Sequence, residues 1–364
     1  MENRKLGFGL MRLPKKGLFI DIAQTKEMVD LFLENGFTYF DTAYIYLGSE
    51  EAAKKALTSR HPRESYTLAT KLNVGVALSE GMAKKQFETS LERTGAGYFD
   101  YYLLHAIDAN NLRKFDRYGI WDYVKELKNS GRIRHYGFSF HDSPEVLDQV
   151  LQEHPDVDFV QLQINYLDWE NPSVQSRANY EVARKHGKQI VIMEPVKGGV
   201  LANPPKEVQD LFKAYHPDLS CASWAIRFAA GLDGVLAVLS GMSTIEQMKD
   251  NISYMKDFAP LNDEEQKIIQ KAQALLGKSS AVACTACQYC VPGCPKQIPI
   301  PDIFAAMNKQ LANGQRKEAE LAYAAAVEGK GKASDCIVCR KCETTCPQHL
   351  LITDHLKKAA ELFE

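Results

Sequence analysis

The sequence predicts an α/β architecture: a closed (β/α)8 barrel, the TIM fold, followed by a small α-helical domain that carries most of the cysteine. Three observations predict it. From Lys5 to about Phe258, strand-like and helix-like stretches alternate through short connections. Eight such pairs in roughly 250 residues match a closed barrel rather than an open doubly wound sheet. Eight of the 9 cysteines then fall between Cys284 and Cys346, so the last quarter of the 364 residues follows a different pattern. The expected division is a barrel over 1–275 and a cysteine-rich domain over 276–364.

Short apolar runs bounded by turn residues set the strands at Leu6–Met11, Tyr39–Ala43, Thr67–Leu72, Tyr101–His105, Ile133–Phe138, Phe159–Asn165, Gln189–Glu194 and Gly234–Val238. Each leads into a stretch of helical periodicity: Gln24–Asn35, Glu50–Arg60, Ser79–Thr94, Tyr118–Ser130, Pro144–Glu153, Ser176–His186, Lys206–Tyr215 and Thr244–Phe258. Leu219–Ala230 reads as an additional helix before the last strand. No G-x-G-x-x-G follows a strand and opens a helix; Gly7-Phe8-Gly9 has no third glycine in register, so a Rossmann phosphate loop is lacking. In the tail, Ile303, Met307, Gln310 and Leu311, then Ala319, Leu321, Ala322 and Ala326, recur at helical spacing, with Asn313 and Gly314 as the break.

Composition narrows the function classes. The 44 Lys plus Arg nearly balance 46 Asp plus Glu, so no basic face points to nucleic acid. No apolar stretch approaches the roughly 20 residues of a membrane span. Met1–Leu6 shows no apolar secretory core, so a cytoplasmic location with reduced thiols is expected rather than a disulfide framework. Partners are expected among small molecules and other proteins.

Cys284, Cys287, Cys290 and Cys294 read C-x2-C-x2-C-x3-C before Pro295, and Cys336, Cys339, Cys342 and Cys346 repeat the run before Pro347. Structural zinc sites use paired C-x2-C knuckles instead. In the bacterial ferredoxin run of this spacing, the fourth cysteine ligates the other cluster. One [4Fe-4S] cluster is therefore assigned to Cys284, Cys287, Cys290 and Cys346, and a second to Cys336, Cys339, Cys342 and Cys294. The 41 residues between the runs (295–335) exceed a compact hairpin, and their two helices resemble an α-helical ferredoxin module. Cys221, alone in CASW, is expected as a buried apolar thiol.

Barrels place their chemistry at the C-terminal ends of strands. Those ends offer Asp41 and Tyr46 in FDTAYIYLGSE, Lys71 in LATKL and His105 in YLLH. With LGFGLMRLP, RIRHYGFSFH, VQLQINY and LSGMSTIEQMKDN, this pattern resembles the aldo-keto reductase family over the whole barrel. The resemblance implies a catalytic tetrad of Asp41, Tyr46, Lys71 and His105. Tyrosine ordinarily titrates near 10, too high for proton donation at neutral pH unaided. A neighbouring Lys71 ammonium would favour the phenolate, Asp41 would hold that ammonium, and His105 would hydrogen-bond the substrate oxygen or share the proton transfer.

The resemblance also implies nucleotide contacts from Ser139, Gln161, Met193, Pro195, Val196 and Gly198, and from a phosphate loop of Ser240, Gly241, Met242 and Ser243 with Gln247 and Asn251. Three departures stand out. Phe140 replaces an asparagine that in the family helps to hold the carboxamide. Met193-Glu194-Pro195-Val196 replaces an aromatic followed by Ser-Pro-Leu, and Glu194 places a carboxylate where pyrophosphate would approach, calling for Lys197 or another cation. Positions 240–247 contain no Lys or Arg for a 2′-phosphate. NADP and NAD both remain open as cofactor, with FMN as the alternative.

Joined together, a hydride site and two one-electron clusters imply an oxidoreductase that interconverts a small carbonyl and alcohol and exchanges electrons with a ferredoxin-like partner. The alternatives are a flavin- or ferredoxin-linked enzyme, clusters that only order the tail, and a non-enzymatic electron-transfer subunit. Arg12, Asp108–Arg117, Asn165, Tyr166 and Trp169 are the expected substrate lining.

Overall fold

Each barrel strand is a short apolar run whose neighbour in space is its neighbour in sequence. In the computed structural model, which describes residues 4–277 and 281–364, these strands are Leu6–Gly9 (β1), Tyr39–Asp41 (β2), Thr67–Leu72 (β3), Phe99–Ile107 (β4), Ile133–Phe140 (β5), Phe159–Gln163 (β6), Gln189–Met193 (β7) and Val235–Ser240 (β8). All pair in parallel, and β8 returns to β1 to close the barrel. Inside it, Tyr39, Ala69, Leu103, Phe159, Val191 and Ala237 pack into a solid core, so there is no pore. The register sets Gly9 beside Asp41, Lys71 beside Leu103, and Ser139 beside Gln161. That brings the expected site residues to one rim.

Several elements differ from expectation. The first strand stops at Gly9 and turns through a 3-10 segment, Leu10–Arg12, before a two-stranded hairpin, Lys15–Lys16 with Phe19–Ile20. The helix expected over Tyr118–Ser130 is found as Ile120–Asn129, and an additional short helix, Leu112–Arg117, precedes it across Gly119, whose φ of +56° suits glycine. The stretch Glu50–Arg60 divides into an α-helix, Ser49–Ala53, and a π-helical turn, Lys54–Thr58. The fourth strand runs two residues past His105, through a register shift between Leu104 and Ile107.

Two compact units are present. The first holds the sequence up to residue 170 with 175–195 and 222–262, which includes every barrel strand. The second takes 171–174, 196–221 and the chain from 263, and so contains the helices Lys206–Tyr215 and Asp263–Leu276 as well as the tail. The tail has three helices among its described residues: Ile300–Asn313 and Arg316–Val327 at the expected positions, and Ile352–Phe363 after the second cysteine run. Ile298, Ile303, Phe304, Met307, Ile352 and Leu356 form its apolar core. The cysteines lie along that core, with Cys290 and Cys342 buried in it.

Gly137 on β5 leaves no room for a side chain against β6: a Cβ there would lie 2.3 Å from the Phe159 carbonyl oxygen. Gly137→Ala must therefore push the two strands apart. The expected loss is about 1–3 kcal/mol, read as a lowered urea midpoint; an unchanged midpoint would show that the barrel yields freely there.

Candidate functional site

The site begins with a buried ion pair. Lys71 Nζ, fully buried, donates to Asp41 Oδ1 at 2.5 Å and to the Thr42 carbonyl at 2.8 Å. Burial pushes the Asp41 carboxyl up and the Lys71 ammonium down, while their mutual attraction opposes both shifts. Lys71 Nζ also stands 5.1 Å from the ring centre of Tyr46, and the Tyr46 ring meets His105 edge-on with centroids 5.7 Å apart. All four expected catalytic side chains are brought together.

The loop that carries Tyr46 is pinned along its length. Tyr44 N donates to the Lys71 carbonyl, Tyr46 N to the Ala43 carbonyl, and Ser49 N to the Tyr46 carbonyl. The hydroxyls of Thr42 and Ser49 pair at 2.7 Å, and Ser49 reaches the Leu10 carbonyl at 3.0 Å. Glu50, 1 % exposed, accepts from Thr70 at 2.7 Å and from Arg93 at 3.3 Å, and its charge also acts on Lys71. Sequence reading missed this supporting layer. The one signal for it is the placing of Ser49 and Glu50 directly after the Tyr46 loop.

His105 lies beside a bulge. Ala106 has φ +58°, a left-handed conformation that costs an alanine about 1–2 kcal/mol, and its N–H donates to Ser139 Oγ at 2.7 Å. Bulges of this kind re-aim a side chain next to a site. Ser139, expected as a nucleotide contact, thus clamps the bulge and keeps its own O–H to donate. Burial, followed by the Lys71 ammonium and His141, holds the His105 imidazole well below its ordinary range. His105 is therefore neutral at pH 7.

On the nicotinamide side, Gln161 Nε2 donates to Met193 Sδ at 3.5 Å, and the buried Gln161 Oε1 has no hydrogen-bond partner among the described residues. An orphaned acceptor beside the Ser139 hydroxyl fits the –NH2 of a carboxamide. Phe140, 2 % exposed, adds no polar atom. At the phosphate loop, Thr244 caps the helix Ile245–Met255 by accepting from Gln247 N, and Gln247 Oε1 accepts from Ser243 N. Ser240 and Asn251, both buried, bond to each other at 2.6 Å, with Tyr254 closing the chain of bonds. Met242 is buried as well. Ser243, Gly241 and Gln247 are left as the rim that an anion could meet.

Two cations singled out in the sequence lie near this side of the rim. Arg12, expected as substrate lining, has its Nη2 4.0 Å from Glu194 Oε1 and its Cδ 3.2 Å from where a Gly241 Cβ would stand. It therefore sits beside the expected phosphate loop and offsets the Glu194 carboxylate. Lys197, expected beside Glu194, is 3 % exposed and donates to Gln348 at 3.2 Å, while Gly198 lies where a Cβ would meet Thr285 Cα at 2.6 Å. These two residues pack against the cysteine segment. Asn165 and Tyr166 are fully buried: Asn165 bonds to Asp168 and to the Glu194 carbonyl, and Tyr166 packs edge-on against Phe228. Both support the β6 and β7 loops from within. The Asp108–Arg117 stretch is built on Asp108, which accepts from the backbone of Asn110 and Asn111.

The eight clustered cysteines form two rings. Cys284, Cys287, Cys290 and Cys346 line one cavity, and Cys294, Cys336, Cys339 and Cys342 line another, so each ring takes its fourth thiol from the other run. The backbone repeats too. Ala286, Gln288 and Gln297 follow Cys284 with positive φ at the same offsets as Val338, Arg340 and His349 follow Cys336. Such alternation turns successive N–H groups inward as an anion-binding nest, a feature of many Fe–S sites. Burial, Glu343, Cys336 and Cys294 push the Cys342 thiol up to about 11, and burial, followed by Cys287, Cys284 and Cys346, raises Cys290 further. Crowded thiols over inward N–H groups fit a polynuclear cluster. Among the described residues no three His, Cys, Asp or Glu converge closely enough for a single ion. Cys221 is a buried thiol, as expected.

Fold and site together define an oxidoreductase barrel with an iron–sulfur tail. Residues 5–274 match the model of the Aldo/keto reductase family, and the chain belongs to that family. Residues 283–351 match that of a 4Fe-4S dicluster domain. An aldo-keto reductase of Strobilurus tenacellus is 31% identical over 219 residues, covering 57% of this chain and 62% of that protein. An uncharacterised oxidoreductase of Bacillus subtilis is 27% identical over 309 residues, covering 74% and 96%. Among solved structures, the holo form of an aldo-keto reductase from Bacillus halodurans superposes with a TM-score of 0.59 at 27% identity, covering 74% of this chain and 91% of that one. Among the described residues no helix is long and apolar enough to cross a membrane.

The neutral His105 has a pH consequence. Its folded pKa lies below the unfolded 6.5, so below that value the unfolded chain binds more protons and stability falls with pH. His105→Gln removes this contribution, whereas His154 and His355, shifted in the same direction, remain. Urea midpoints should therefore drop less in the variant than in the wild type between about pH 7.5 and about pH 5.5. Equal drops would count against a neutral buried His105.

Proposed function

We propose that this protein is an NAD(P)-dependent oxidoreductase that interconverts a small carbonyl and its alcohol, coupled to one-electron transfer through two [4Fe-4S] clusters. The observation that carries the reading is the stack of Asp41, Lys71, Tyr46 and His105, in which a buried ammonium underlies a half-buried phenol. A bound nicotinamide supplies a hydride to the carbonyl carbon. Tyr46 gives its proton to the carbonyl oxygen, and the Lys71 ammonium stabilises the phenolate that remains. Asp41 keeps Lys71 aimed at the ring. His105, neutral, donates a hydrogen bond that orients the carbonyl oxygen. In the opposite direction Tyr46 takes the proton from the alcohol.

Gln161 and Ser139 would hold the carboxamide, with Met193 against the ring. Gly241, Ser243 and Gln247 would meet the phosphates, and Arg12 would supply the positive charge that positions 240–247 lack. Thiol rings of Cys284, Cys287, Cys290 and Cys346 and of Cys294, Cys336, Cys339 and Cys342 would each hold one cluster. Each cluster would carry a single electron at a time. A second reading, FMN in place of nicotinamide, is favoured by one observation: Phe140 offers no hydrogen bond where the family has a polar side chain.

Anaerobic purification followed by optical titration with NADPH, NADH and FMN separates the readings. A nicotinamide enzyme yields saturable difference spectra with a dinucleotide and no flavin absorbance, whereas FMN binding in preference to both dinucleotides would replace the first reading with the second. Tyr46→Phe is expected to lower kcat about 100-fold or more with little change in dinucleotide affinity; undiminished turnover would exclude Tyr46 as the proton donor. Arg12→Ala is expected to raise the KM for the dinucleotide and leave kcat near that of the wild type. A loss confined to kcat would place Arg12 with the substrate instead.

A further inference from the structure

The two thiol rings are repeats whose backbones match and whose rims have diverged. Superposing the runs by offset from Cys284 and Cys336 sets Thr285 opposite Ile337, Gln288 opposite Arg340, Tyr289 opposite Lys341, and Gln348 opposite Lys296. At the ring of Cys284, the lining includes no charged residue, and both Thr285 and Gln348 are buried. The chain itself covers them: Gly198 abuts Thr285, and Lys197 donates to Gln348.

At the ring of Cys336 the equivalent positions are open. Lys296, Arg340 and Lys341 all line that cavity, and all are exposed. Ile337 and Val338 stand 57% and 58% exposed, and Cys339 is the one exposed thiol among the eight clustered cysteines. No acidic residue lines this cavity. Glu343 comes within 3.9 Å of Arg340, but it turns its other oxygen inward to the backbone and hydroxyl of Thr353. The outcome is a small aliphatic patch ringed by three cations around an exposed ligand. Val338 holds this shape at φ +56°, a conformation a β-branched residue rarely adopts.

We infer that this rim is the docking surface for an acidic one-electron carrier protein, and that electrons enter or leave at the cluster held by Cys294, Cys336, Cys339 and Cys342. The inference rests on the two-cluster reading above. Charge complementarity selects the partner: exposed cations steer an acidic surface into register, and the aliphatic pair excludes water at the contact. One electron would pass from the reduced carrier to the cluster held by this ring, oxidising the carrier and reducing the cluster, with the covered ring of Cys284, Cys287, Cys290 and Cys346 holding the second one-electron site.

The test uses the full-length holoprotein and stopped-flow reduction of its clusters by a dithionite-reduced acidic bacterial ferredoxin. In the wild type the rate should fall steeply with ionic strength. The triple variant Lys296→Glu, Arg340→Glu, Lys341→Glu should react about tenfold more slowly or worse with the ferredoxin. Reduction by the methyl viologen radical cation should be undiminished. Iron content and the EPR spectrum verify that the variant is loaded; if it is not, the single change Lys296→Gln and the wild-type salt dependence decide. A salt-independent wild-type rate, or a loaded variant as fast as the wild type, overturns the docking surface. Wild-type protein that binds no iron–sulfur cluster at all overturns the underlying reading instead.

Discussion

The buried pair of Lys71 and Asp41 is the constraint around which the barrel rim is arranged. Two charges removed from water carry a desolvation penalty of several kcal/mol each, repaid only by close geometry and further hydrogen bonds. The structure supplies both: the 2.5 Å contact, the Thr42 carbonyl, and Glu50 as a second carboxylate whose charge also reaches Lys71. Pairing of β1, β2 and β3 sets where the pair can stand, because Gly9 is beside Asp41 and Asp41 beside Ala69. Lys71 has little freedom to go elsewhere, and its Nζ stands 5.1 Å from the centre of the Tyr46 ring. An ammonium placed there acts on the phenol with little screening by water. The hydrogen bonds of Thr42, Tyr44 and Ser49 then serve one end, which is to keep the Tyr46 loop over that ammonium.

The aldo-keto reductase pattern was legible because it lies in residue types at strand ends, and strand ends converge in any closed barrel. Asp41, Tyr46, Lys71 and His105 sit on three successive strands and the loops after them, so local order predicted their meeting. The partners of Arg12 and Lys197 were not legible, for the complementary reason. Arg12 follows β1 and Glu194 follows β7, and what unites them is closure of the barrel through β8, which no local spacing encodes. Lys197 lies three residues after Glu194, yet the turn around Gly198 directs it to Gln348, more than a hundred residues along the chain. The bulge at Ala106 was invisible because alanine does not announce a left-handed backbone; a Ser139 hydroxyl from the adjacent strand makes it tolerable. In the tail, the cysteine spacing, read as the bacterial ferredoxin run, predicts that each run takes its fourth thiol from the other, and the two cavities are lined in that combination.

Repetition in the tail separates what the thiol rings require from what each rim has been free to change. The residues at left-handed φ differ in identity between the two runs, Ala286 against Val338, Gln288 against Arg340 and Gln297 against His349, while their conformation does not. The nest of inward N–H groups is thus a backbone property, indifferent to the side chains that project from it. Those side chains then acquire different surroundings. Where the chain folds back through Lys197 and Gly198, neutral residues fit; at the other ring, cations and aliphatics stand exposed. Two sites built on one backbone plan are in this way given opposite faces. The polarity of the tail follows from which copy the segment after β7 covers.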